Sequence, residues 1–471
     1  MDRIECDVCI IGAGSGGLAT AYGASQMGAD TVLIEAHKMG GDCLNYGCVP
    51  SKALLAASKQ AHAMGTGAPF GVAPAEPRVD FAAAKDHVRH AIATIAPVDS
   101  QERYEGLGVR VIRERARFVS PREVQAGDTT IRARRFVVAT GSGPLVPPIP
   151  GLDGVPYFTN ETIFDLRERP EHLIVIGGGP IGMEMAQAHR RLGCAVTVLE
   201  GAKAFGKDDP EMAAIVLDRL RGEEIDIRED TPAQAVREED GAVVVDTGAG
   251  AVRGSHLLLA VGRKVHVDDL GLDAAGVTFD RRGVKVDASL RSSNRRVYAI
   301  GDAAGGMQFT HVAGYHAGVI VRSLLFGLPS KARTDHIPWT TYTDPELAHV
   351  GLTEAQAKKA YGAQTETIRF PYAENDRAIA EGKPTGQIKL VVAKGRPVGA
   401  TIAGAQAGEL ISLWALVIAN RLKMTAVANM VAPYPTLGEI NKRAAGAYFV
   451  PRLFKNPKVE RVVRLVQKYL P

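Results

Sequence analysis

The chain has 471 residues, of which 46% are hydrophobic, and it carries 56 lysines and arginines against 52 aspartates and glutamates. This length predicts about two to four domains, and the small net charge of +4 argues against a nucleic-acid-binding protein. No apolar run is long enough for a transmembrane helix, and the N-terminus lacks the ordered features of a signal peptide. We therefore expect a cytoplasmic protein.

The N-terminal residues predict a nucleotide-binding unit made of a strand, a glycine turn, a helix and a second strand. The glycine turn has the pattern G-x-G-x-x-G at Gly12, Gly14 and Gly17, and the second strand, TVLIE, ends at Glu35. Such glycines permit a tight turn and close approach of the backbone to a pyrophosphate. The helix N-terminus offers free N–H groups to that anion, and the acid can bind a ribose diol.

Two cysteines follow this unit in the stretch GGDCLNYGCVPSKALL, just before a predicted helix. A thiol at a helix N-terminus has a lowered pKa, and its thiolate is the reactive form, so Cys43 and Cys48 are candidates for redox chemistry. Zinc binding is the rival interpretation. The other cysteines, Cys6, Cys9 and Cys194, complete no evident four-ligand set, so we predict no metal site.

The nucleotide-binding unit recurs in the middle of the chain. Its second copy has Gly177, Gly179 and Gly182, and it ends at Glu200. The acid follows the last glycine by 18 residues in both copies, from 17 to 35 and from 182 to 200. Because two chance copies in one register are improbable, the sequence predicts two dinucleotide sites. Glu200 favours the 2′-hydroxyl of NAD(H), while nearby Lys203 leaves NADP(H) open.

Three further apolar strands end in small or acidic residues. The turns after them contain Thr140-Gly141, Val261-Gly262 and Gly301-Asp302. An aspartate just past a strand can hydrogen-bond a sugar or ribityl hydroxyl, and it can equally cap the following helix.

The C-terminal stretch FKNPKVERVVRLVQKYLP predicts a basic amphipathic helix, with valines at helical spacing and lysines and arginines between them. Such a helix can make a weak contact with an anionic membrane surface. The alternative, which we favour, is a helix docked on its own domain, because one short helix is a weak indication of membrane binding.

The pattern G-G-x-C-x-N-x-G-C-x-P-S-K resembles the redox-active disulfide motif of the pyridine nucleotide–disulfide oxidoreductases, which include glutathione reductase, dihydrolipoamide dehydrogenase and mercuric reductase. GAGSGG, ATGS and YAIGD resemble the FAD motifs of this family, GGGPIG resembles its NAD(P) motif, and YTDPELAHVGLTEAQA resembles the start of its dimerisation domain. The resemblance implies an α/β fold with two Rossmann-like domains and a C-terminal α+β dimerisation domain. FAD binding would use residues 1–150 and 273–338, NAD(P) binding 151–272, and dimerisation 339–471.

The resemblance also implies roles for matching residues. Cys43 would exchange with the substrate, Cys48 would contact the flavin, and Lys52 would lie near flavin N5, paired with Glu184. His311 would lie near the pyrimidine edge of the flavin, whereas we interpret His316 as an ordinary helix histidine. The other implied cofactor contacts are Gly12, Gly14, Gly17, Glu35, Ala116, Thr140, Gly141, Ser142, Asp302 and Thr310 for FAD, and Gly177, Gly179, Gly182, Glu200 and Gly262 for NAD(P).

The sequence departs from the family near its C-terminus. Relatives that handle dithiols carry His-Pro-Thr-x-x-Glu, in which the histidine is a base supplied by the other subunit and the glutamate orients it. Here Tyr434 replaces the histidine and Glu439 is retained. Tyrosine has a pKa of about 10 against about 6.5 for histidine, so it is a poor base. Mercuric reductase also has Pro-Tyr here, but no cysteine follows Cys194 to supply the C-terminal pair of that enzyme.

We therefore expect a homodimeric, FAD-dependent NAD(P)H oxidoreductase. Electrons would pass from NAD(P)H through FAD to a Cys43–Cys48 disulfide, and from Cys43 to a disulfide or thiophilic metal acceptor. Two alternatives stay open. One is a dihydrolipoamide dehydrogenase, and the other is a quinone- or oxygen-linked NADH diaphorase in which the cysteines are incidental.

Overall fold

The computed structural model describes residues 2–470, which form two compact units. The first unit contains residues 2–68, 72–202 and 225–333, and the second contains 69–71, 203–224 and 334–470. Both units mix helices and strands, which confirms the predicted α/β class. Among these residues, no helix has both the length and the apolar character needed to cross a bilayer.

The first unit contains a seven-stranded sheet that carries the first nucleotide-binding unit. Strand Asp2–Ile11 pairs in parallel with Thr31–Ile34 on one side and Thr129–Val138 on the other. Val297–Ala299 returns from far along the chain to pair in parallel with Thr129–Val138. This return places Gly301-Asp302 at the same sheet edge as the first glycine turn. The other strands are Arg110–Ile112, Ala116–Ser120 and Glu123–Ala126.

A second, four-stranded parallel sheet carries the second nucleotide-binding unit. In spatial order its strands are Asp226–Arg228, Ala195–Leu199, His172–Ile176 and His256–Leu259. An antiparallel sheet of Ala233–Glu239, Ala242–Thr247 and Gly250–Gly254 follows it in the same unit. Two short pairs join Ser142–Pro144 to Arg263–Val265 and Phe279–Asp280 to Gly283–Val284.

Seven α-helices surround these sheets in the first unit. They are Ser15–Gln26, Gly41–Asn45, Cys48–Gly65, Phe81–Ile95, Gln101–Gly106, Pro180–Arg191 and Thr310–Phe326. We call Cys48–Gly65 the cysteine helix, because Cys48 is its first residue.

The second unit is an antiparallel five-stranded sheet covered by helices. Its strands, in spatial order, are Pro338–Thr341, Glu346–Gly351, Arg396–Gly404, Gln387–Ala393 and Thr365–Pro371. Its helices are Pro210–Gly222, Glu354–Tyr361, Asp376–Ala380, Ala407–Ala419, Met424–Ala428, Glu439–Ala447, Val450–Leu453 and Pro457–Tyr469. Trp414 lies at the centre of the core, and its Nε1 donates to Asn441 Oδ1 at 2.7 Å.

A buried lysine ties residues 203–224 to the second unit, although the sequence placed them in the NAD(P)-binding region. The side chain of Lys389 is 5% exposed, and its Nζ lies 2.8 Å from carboxylate oxygens of Asp209, Glu211 and Glu354. A buried cation is tolerated only when it is paired and hydrogen-bonded, as it is here. The domain boundaries inferred from the sequence stay predictions.

The C-terminal helix Pro457–Tyr469 contradicts the interpretation that we favoured. None of its residues, all of which are described, is buried. Its apolar side chains are exposed, with Val462 at 58% and Tyr469 at 69%. The prediction of a helix docked on its own domain is therefore wrong.

A second buried lysine lies in the first unit. Lys85 is fully buried, its Nζ donates to the Ile163 carbonyl oxygen at 2.9 Å, and it lies over the rings of Phe81 and Phe164 at 5.1 and 5.7 Å. Burial lowers the pKa of Lys85 to about 8, although Cys194 and Asp165 act in the opposite direction.

Lys85 should make stability depend on pH. Its folded pKa is below the unfolded value of about 10.4, so the unfolded state binds more protons between these values, and the free energy of unfolding rises with pH across that window. Compared with Lys85→Met, the native protein should gain about 2 kcal/mol between pH 7 and pH 9.5 in denaturant unfolding. The exposed lysine control, Lys331→Met, should show no such difference, and a pH-independent difference for Lys85→Met would contradict the assignment.

Candidate active site

The two glycine turns hold their acids in the same way. Glu35 Oε2 accepts from the backbone N–H of Ala13 at 2.6 Å, and Oε1 accepts from His37 N–H at 2.7 Å. In the second copy, Glu200 Oε2 accepts from Gly178 N–H at 2.7 Å. Each carboxylate is thus fixed beside the first glycine of its turn, where a ribose of a bound dinucleotide would lie.

Some glycines of the two turns are required by the fold itself, whereas others face open space. A Cβ on Gly17 would lie 1.8 Å from the Gly12 carbonyl oxygen, so the fold itself demands a glycine there. A Cβ on Gly179 would meet no described protein atom within 4 Å, and one on Gly14 would meet only Gly41 Cα, at 3.9 Å. Helices begin immediately after Gly14 and Gly179 without a capping side chain. Open space in front of free N–H groups fits a pyrophosphate.

The cysteine loop is held against the first glycine turn. Gly41 has φ +59°, and a Cβ there would lie 2.7 Å from Gly14 Cα, so only glycine permits this approach. Gly40 N–H donates to the Ala13 carbonyl oxygen at 3.0 Å. Asn45 Nδ2 donates to the Gly41 carbonyl oxygen at 2.9 Å and fixes the loop from inside. Asn45 belongs to the motif that contains both cysteines, but its spacing alone did not indicate this role.

Cys43 and Cys48 lie on opposite sides of a tight turn, in helix Gly41–Asn45 and at the start of the cysteine helix. Both are thiols in this structure. The Cys48 Sγ lies 3.2 Å from Thr310 Oγ1, which is on the first residue of helix Thr310–Phe326. The hydrogen bond from Cys43 lowers the pKa of Cys48, assisted by Thr310 and Lys52 and opposed by burial. The same bond, with burial, raises the pKa of Cys43.

Lys52 and Glu184 form the ion pair that the family resemblance implied. Lys52 Nζ lies 2.8 Å from Glu184 Oε2, and the Glu184 side chain is only 6% exposed. Lys52 belongs to the cysteine helix and Glu184 to helix Pro180–Arg191 of the second nucleotide-binding unit. The pair therefore links the cysteines to the second dinucleotide site within one compact unit.

Arg263, which no sequence motif indicated, contacts two other segments of the first unit. Its Nε donates to Ser142 Oγ at 2.7 Å and its Nη2 lies 3.1 Å from Asp42 Oδ2 in the cysteine loop. Ser142 Oγ donates to Asp302 Oδ2, and Asp302 is 3.8 Å from Arg263 Nε. Burial raises the pKa of Asp302, while Ser142 and Arg263 act against this effect. Asn160 Nδ2 donates to Asp42 Oδ1 at 3.0 Å. Asp42 thus connects the cysteine loop to the segments that carry Arg263 and Asn160.

The turns at Thr140-Gly141 and Gly262 are joined to neighbouring backbone. Thr140 Oγ1 donates to the His266 carbonyl oxygen at 2.6 Å, and the Gly141 carbonyl accepts from His266 N–H at 3.0 Å. The Gly262 carbonyl accepts from Leu145 N–H at 3.0 Å. These bonds fix the turns that the resemblance assigned to the cofactors, and the cofactor contacts themselves stay predictions.

The remaining predicted cofactor contacts have different environments. His311 is exposed and stacks on Phe309 with ring centroids 5.3 Å apart. His316 is buried, and its Nδ1 accepts from Gly301 N–H at 3.2 Å, so it supports the turn before Asp302. Ala116 is buried at the start of its strand.

In the second unit, Tyr434 and Glu439 are connected only indirectly. Tyr434 Oη donates to Asp376 Oδ2 at 2.9 Å, while Glu439 Oε1 accepts from Arg443 Nε at 3.1 Å. Arg443 Nη2 lies 3.6 Å from Asp376 Oδ2. The hydrogen bond to Asp376 raises the pKa of Tyr434. Asp376 is therefore the direct partner of Tyr434 in this structure, and the roles of Tyr434 and Glu439 in catalysis stay predictions.

The fold and these motifs define a class of protein. Residues 6–317 match the family described as pyridine nucleotide-disulphide oxidoreductase, and residues 337–445 match its dimerisation domain. The chain belongs to this family. It is a flavoprotein disulfide oxidoreductase of the kind that uses FAD and NAD(P)H, which confirms the predicted class and cofactors. The dimerisation domain supports a homodimer.

Individual relatives cover almost the whole chain. A mercuric reductase of Streptomyces lividans is 34% identical over 458 residues, which are 94% of this chain and 96% of the relative. A dihydrolipoyl dehydrogenase of Geobacillus stearothermophilus is 33% identical over 459 residues, again 94% and 96% of the two chains.

Solved structures give the same picture. The Cu(II) complex of the HOCl-induced flavoprotein disulfide reductase RclA from Escherichia coli has a TM-score of 0.84 at 26% identity, covering 93% of this chain and 99% of that one. LpdA from Mycobacterium tuberculosis has a TM-score of 0.86 at 25% identity, with coverage of 95% and 99%.

Glu200 should set the choice of nicotinamide. Its carboxylate is anchored by Gly178 N–H and Ala202 N–H at 2.7 and 2.9 Å, so it cannot swing away from a 2′-phosphate. Glu200→Arg should shift the NADH-to-NADPH ratio of kcat/KM by at least about tenfold toward NADPH, because a guanidinium binds phosphate. Glu200→Gln, which removes the charge without adding a cation, should shift it less. Equal ratios in all three proteins would contradict the role of this carboxylate.

Proposed function

We propose that this protein passes electrons from NAD(P)H through FAD to a Cys43–Cys48 disulfide, and from Cys43 to a disulfide or thiophilic metal acceptor. The observation that carries the proposal is the position of Cys48. Cys48 is the first residue of the cysteine helix, and its thiol is hydrogen-bonded to Cys43 and Thr310. The hydrogen bond from Cys43 lowers the pKa of Cys48. Bound FAD supplies the two-electron chemistry between nicotinamide and sulfur. We propose a cytoplasmic location, where thiols are kept reduced.

The chain's own residues would divide the cofactor binding between two turns. Gly12, Gly14, Gly17 and Glu35 would hold FAD, and the corresponding residues up to Glu200 would hold NAD(H), favoured over NADP(H). Lys52, held by Glu184, places a positive charge near Cys48 and so helps to lower the pKa of that thiol. This arrangement stabilises a thiolate at Cys48.

Transfer to a disulfide acceptor follows from thiol exchange. The Cys43 thiolate attacks one acceptor sulfur, forms a mixed disulfide and releases the other sulfur as a thiolate. Cys48 then attacks Cys43, restores the Cys43–Cys48 disulfide and releases the second acceptor thiolate, so two electrons leave the protein. Because the first proton leaves Cys48 and the pKa of Cys43 is raised, Cys43 needs a proton acceptor before it can attack.

The hydrogen bond of Tyr434 bears on the choice of acceptor. A phenol hydroxyl has one hydrogen, and that of Tyr434 is donated in a hydrogen bond to Asp376. Its oxygen therefore presents lone pairs to other groups, which suits a thiol hydrogen or a metal cation better than a thiolate. This supports a metal or thiol partner. The names of two relatives, a mercuric reductase and the Cu(II) complex of RclA, refer to metals in those proteins.

Dihydrolipoamide dehydrogenase is the second candidate, because a dihydrolipoyl dehydrogenase is 33% identical over nearly the whole chain. That reaction needs a base for the substrate thiol, and the hydrogen bond to Asp376 raises the pKa of Tyr434. Tyr434 is then an even poorer base than an ordinary tyrosine. We therefore rank this candidate second.

The functional test is NADH oxidation by the FAD-loaded protein with Hg(II), Cu(II), glutathione disulfide, lipoamide, a quinone and oxygen as separate acceptors. The proposal expects activity with a metal or a disulfide that is lost when both cysteines are replaced by serine. Turnover confined to quinone or oxygen and unaffected by these replacements would identify a diaphorase instead.

Cys48→Ser should abolish reduction of the disulfide or metal acceptor, because serine cannot form the disulfide. Direct reduction of a quinone at the flavin should remain within about twofold of the native rate, since the dinucleotide sites are untouched. The long-wavelength absorbance of a thiolate beside the flavin should also vanish on NADH titration. Full disulfide reductase activity in this variant would rule out the dithiol route.

Tyr434→His should raise NAD-dependent oxidation of dihydrolipoamide, weak in the native protein, by at least about tenfold near pH 7, the low end for a general base. Asp376 is placed to accept the imidazole N–H, as it accepts the phenol hydrogen. The same substitution in an Asp376→Asn background should therefore gain less, whereas a Glu439→Gln background should retain most of the gain. High native turnover that is lost in Tyr434→His would reverse the ranking of the two candidates.

A further inference from the structure

The C-terminal helix Pro457–Tyr469 has an exposed apolar face. Within residues 2–470, which the structure describes, no part of the second unit covers this face. Val459, Val462, Val463, Val466 and Leu470 follow one another at helical spacing. Val462, Val463 and Leu470 are 58%, 51% and 62% exposed. Just before the helix, Phe454 is 74% exposed and extends the apolar surface. Asn456 caps the helix by accepting from Lys458 N–H at 3.1 Å, so its start is fixed without tertiary contacts.

The net positive charge of the protein comes from the segment that contains this helix. Residues 455–469 contain five lysines or arginines and one acid, a net charge of +4, which equals the net charge of the complete chain. The rest of the chain is therefore neutral overall. Arg461, Arg464 and Lys468 recur at helical spacing on the side opposite the valines. The segment is thus an amphipathic helix with one apolar face and one cationic face.

We infer that this helix binds an anionic lipid surface. An interfacial helix gains affinity from its buried apolar face and from attraction between its cations and acidic headgroups, and this helix has both. A second copy of the chain is the competing occupant. Its body is electrically neutral overall, so it offers the five cations no net attraction, whereas an anionic leaflet does. A homodimer carries two such helices, and two attachments reinforce each other.

The test is co-sedimentation of the full-length, FAD-loaded protein with phosphatidylcholine vesicles that contain about one-third phosphatidylglycerol. We expect binding to these vesicles, at least about tenfold weaker binding to pure phosphatidylcholine, and a similar loss when salt rises from about 0.1 to about 0.5 M. Failure to bind the anionic vesicles at low salt would overturn the inference.

Two matched variants separate the apolar face from the charge. Val462→Asp with Val466→Asp lowers the charge by two and disrupts the apolar face. Arg464→Gln with Gln467→Asp lowers the charge by the same amount on the polar side. The first should bind at least about tenfold more weakly than the second, with quinone reduction in solution unchanged in both.

Equal binding by the two variants would show that charge alone acts and would overturn the interfacial helix. Dissociation of the dimer by the valine substitutions, measured by sedimentation velocity, would assign the apolar face to a second copy instead. Both readouts are independent of the acceptor, so they stand apart from the outcome of the substrate test.

Discussion

The close approach of Gly41 to Gly14 is the constraint on which the active-site geometry depends. A side chain on Gly41 would begin 2.7 Å from Gly14 Cα, so the two backbones can touch only because residue 41 is a glycine. Gly14 is also the residue before the first helix, whose free N–H groups could bind the pyrophosphate of a dinucleotide. The contact therefore connects the cofactor turn directly to the loop that carries Cys43. Any residue larger than glycine at position 41 would therefore move the cysteine loop relative to the first glycine turn.

The two nucleotide-binding units show how a duplicated scaffold acquires different chemistry. Both hold their acid through the N–H that follows the first glycine, so the dinucleotide-binding geometry is shared. The difference lies two residues beyond the last glycine. There the first copy has Ala19 and the second has Glu184, whose carboxylate reaches Lys52 on the cysteine helix. This one difference between the two copies links the second nucleotide-binding unit to the cysteine helix.

Local patterns carried most of what the sequence could predict. The glycine turns, the acids and the helix after Cys48 depend on spacings of a few residues, and the structure places them where the patterns predicted. Arg263 and Asp376 were missed, because their partners Asp42 and Tyr434 lie far away along the chain and leave no periodic signature. The contacts of Lys389 with Asp209 and Glu211, which group residues 203–224 with the second unit, also join residues far apart along the chain and leave no local pattern. The amphipathic pattern predicted the last helix but not what covers it.

The protonation order of the two cysteines bears on the proposed function. In the reduced pair Cys48 gives up its proton first and Cys43 keeps its own, because the hydrogen bond between them stabilises the thiolate at Cys48. In the proposed function Cys43 attacks the acceptor, so the attacking thiol is the one that still carries its proton. In relatives that carry a histidine at the position of Tyr434, an imidazole could remove such a proton near neutral pH. The Tyr434 hydroxyl donates its hydrogen to Asp376, so only its oxygen lone pairs remain available to other groups. A soft metal ion avoids this difficulty, because it displaces the thiol proton directly when it binds sulfur. Under the proposed function, the replacement of histidine by tyrosine therefore favours acceptors that need no general base.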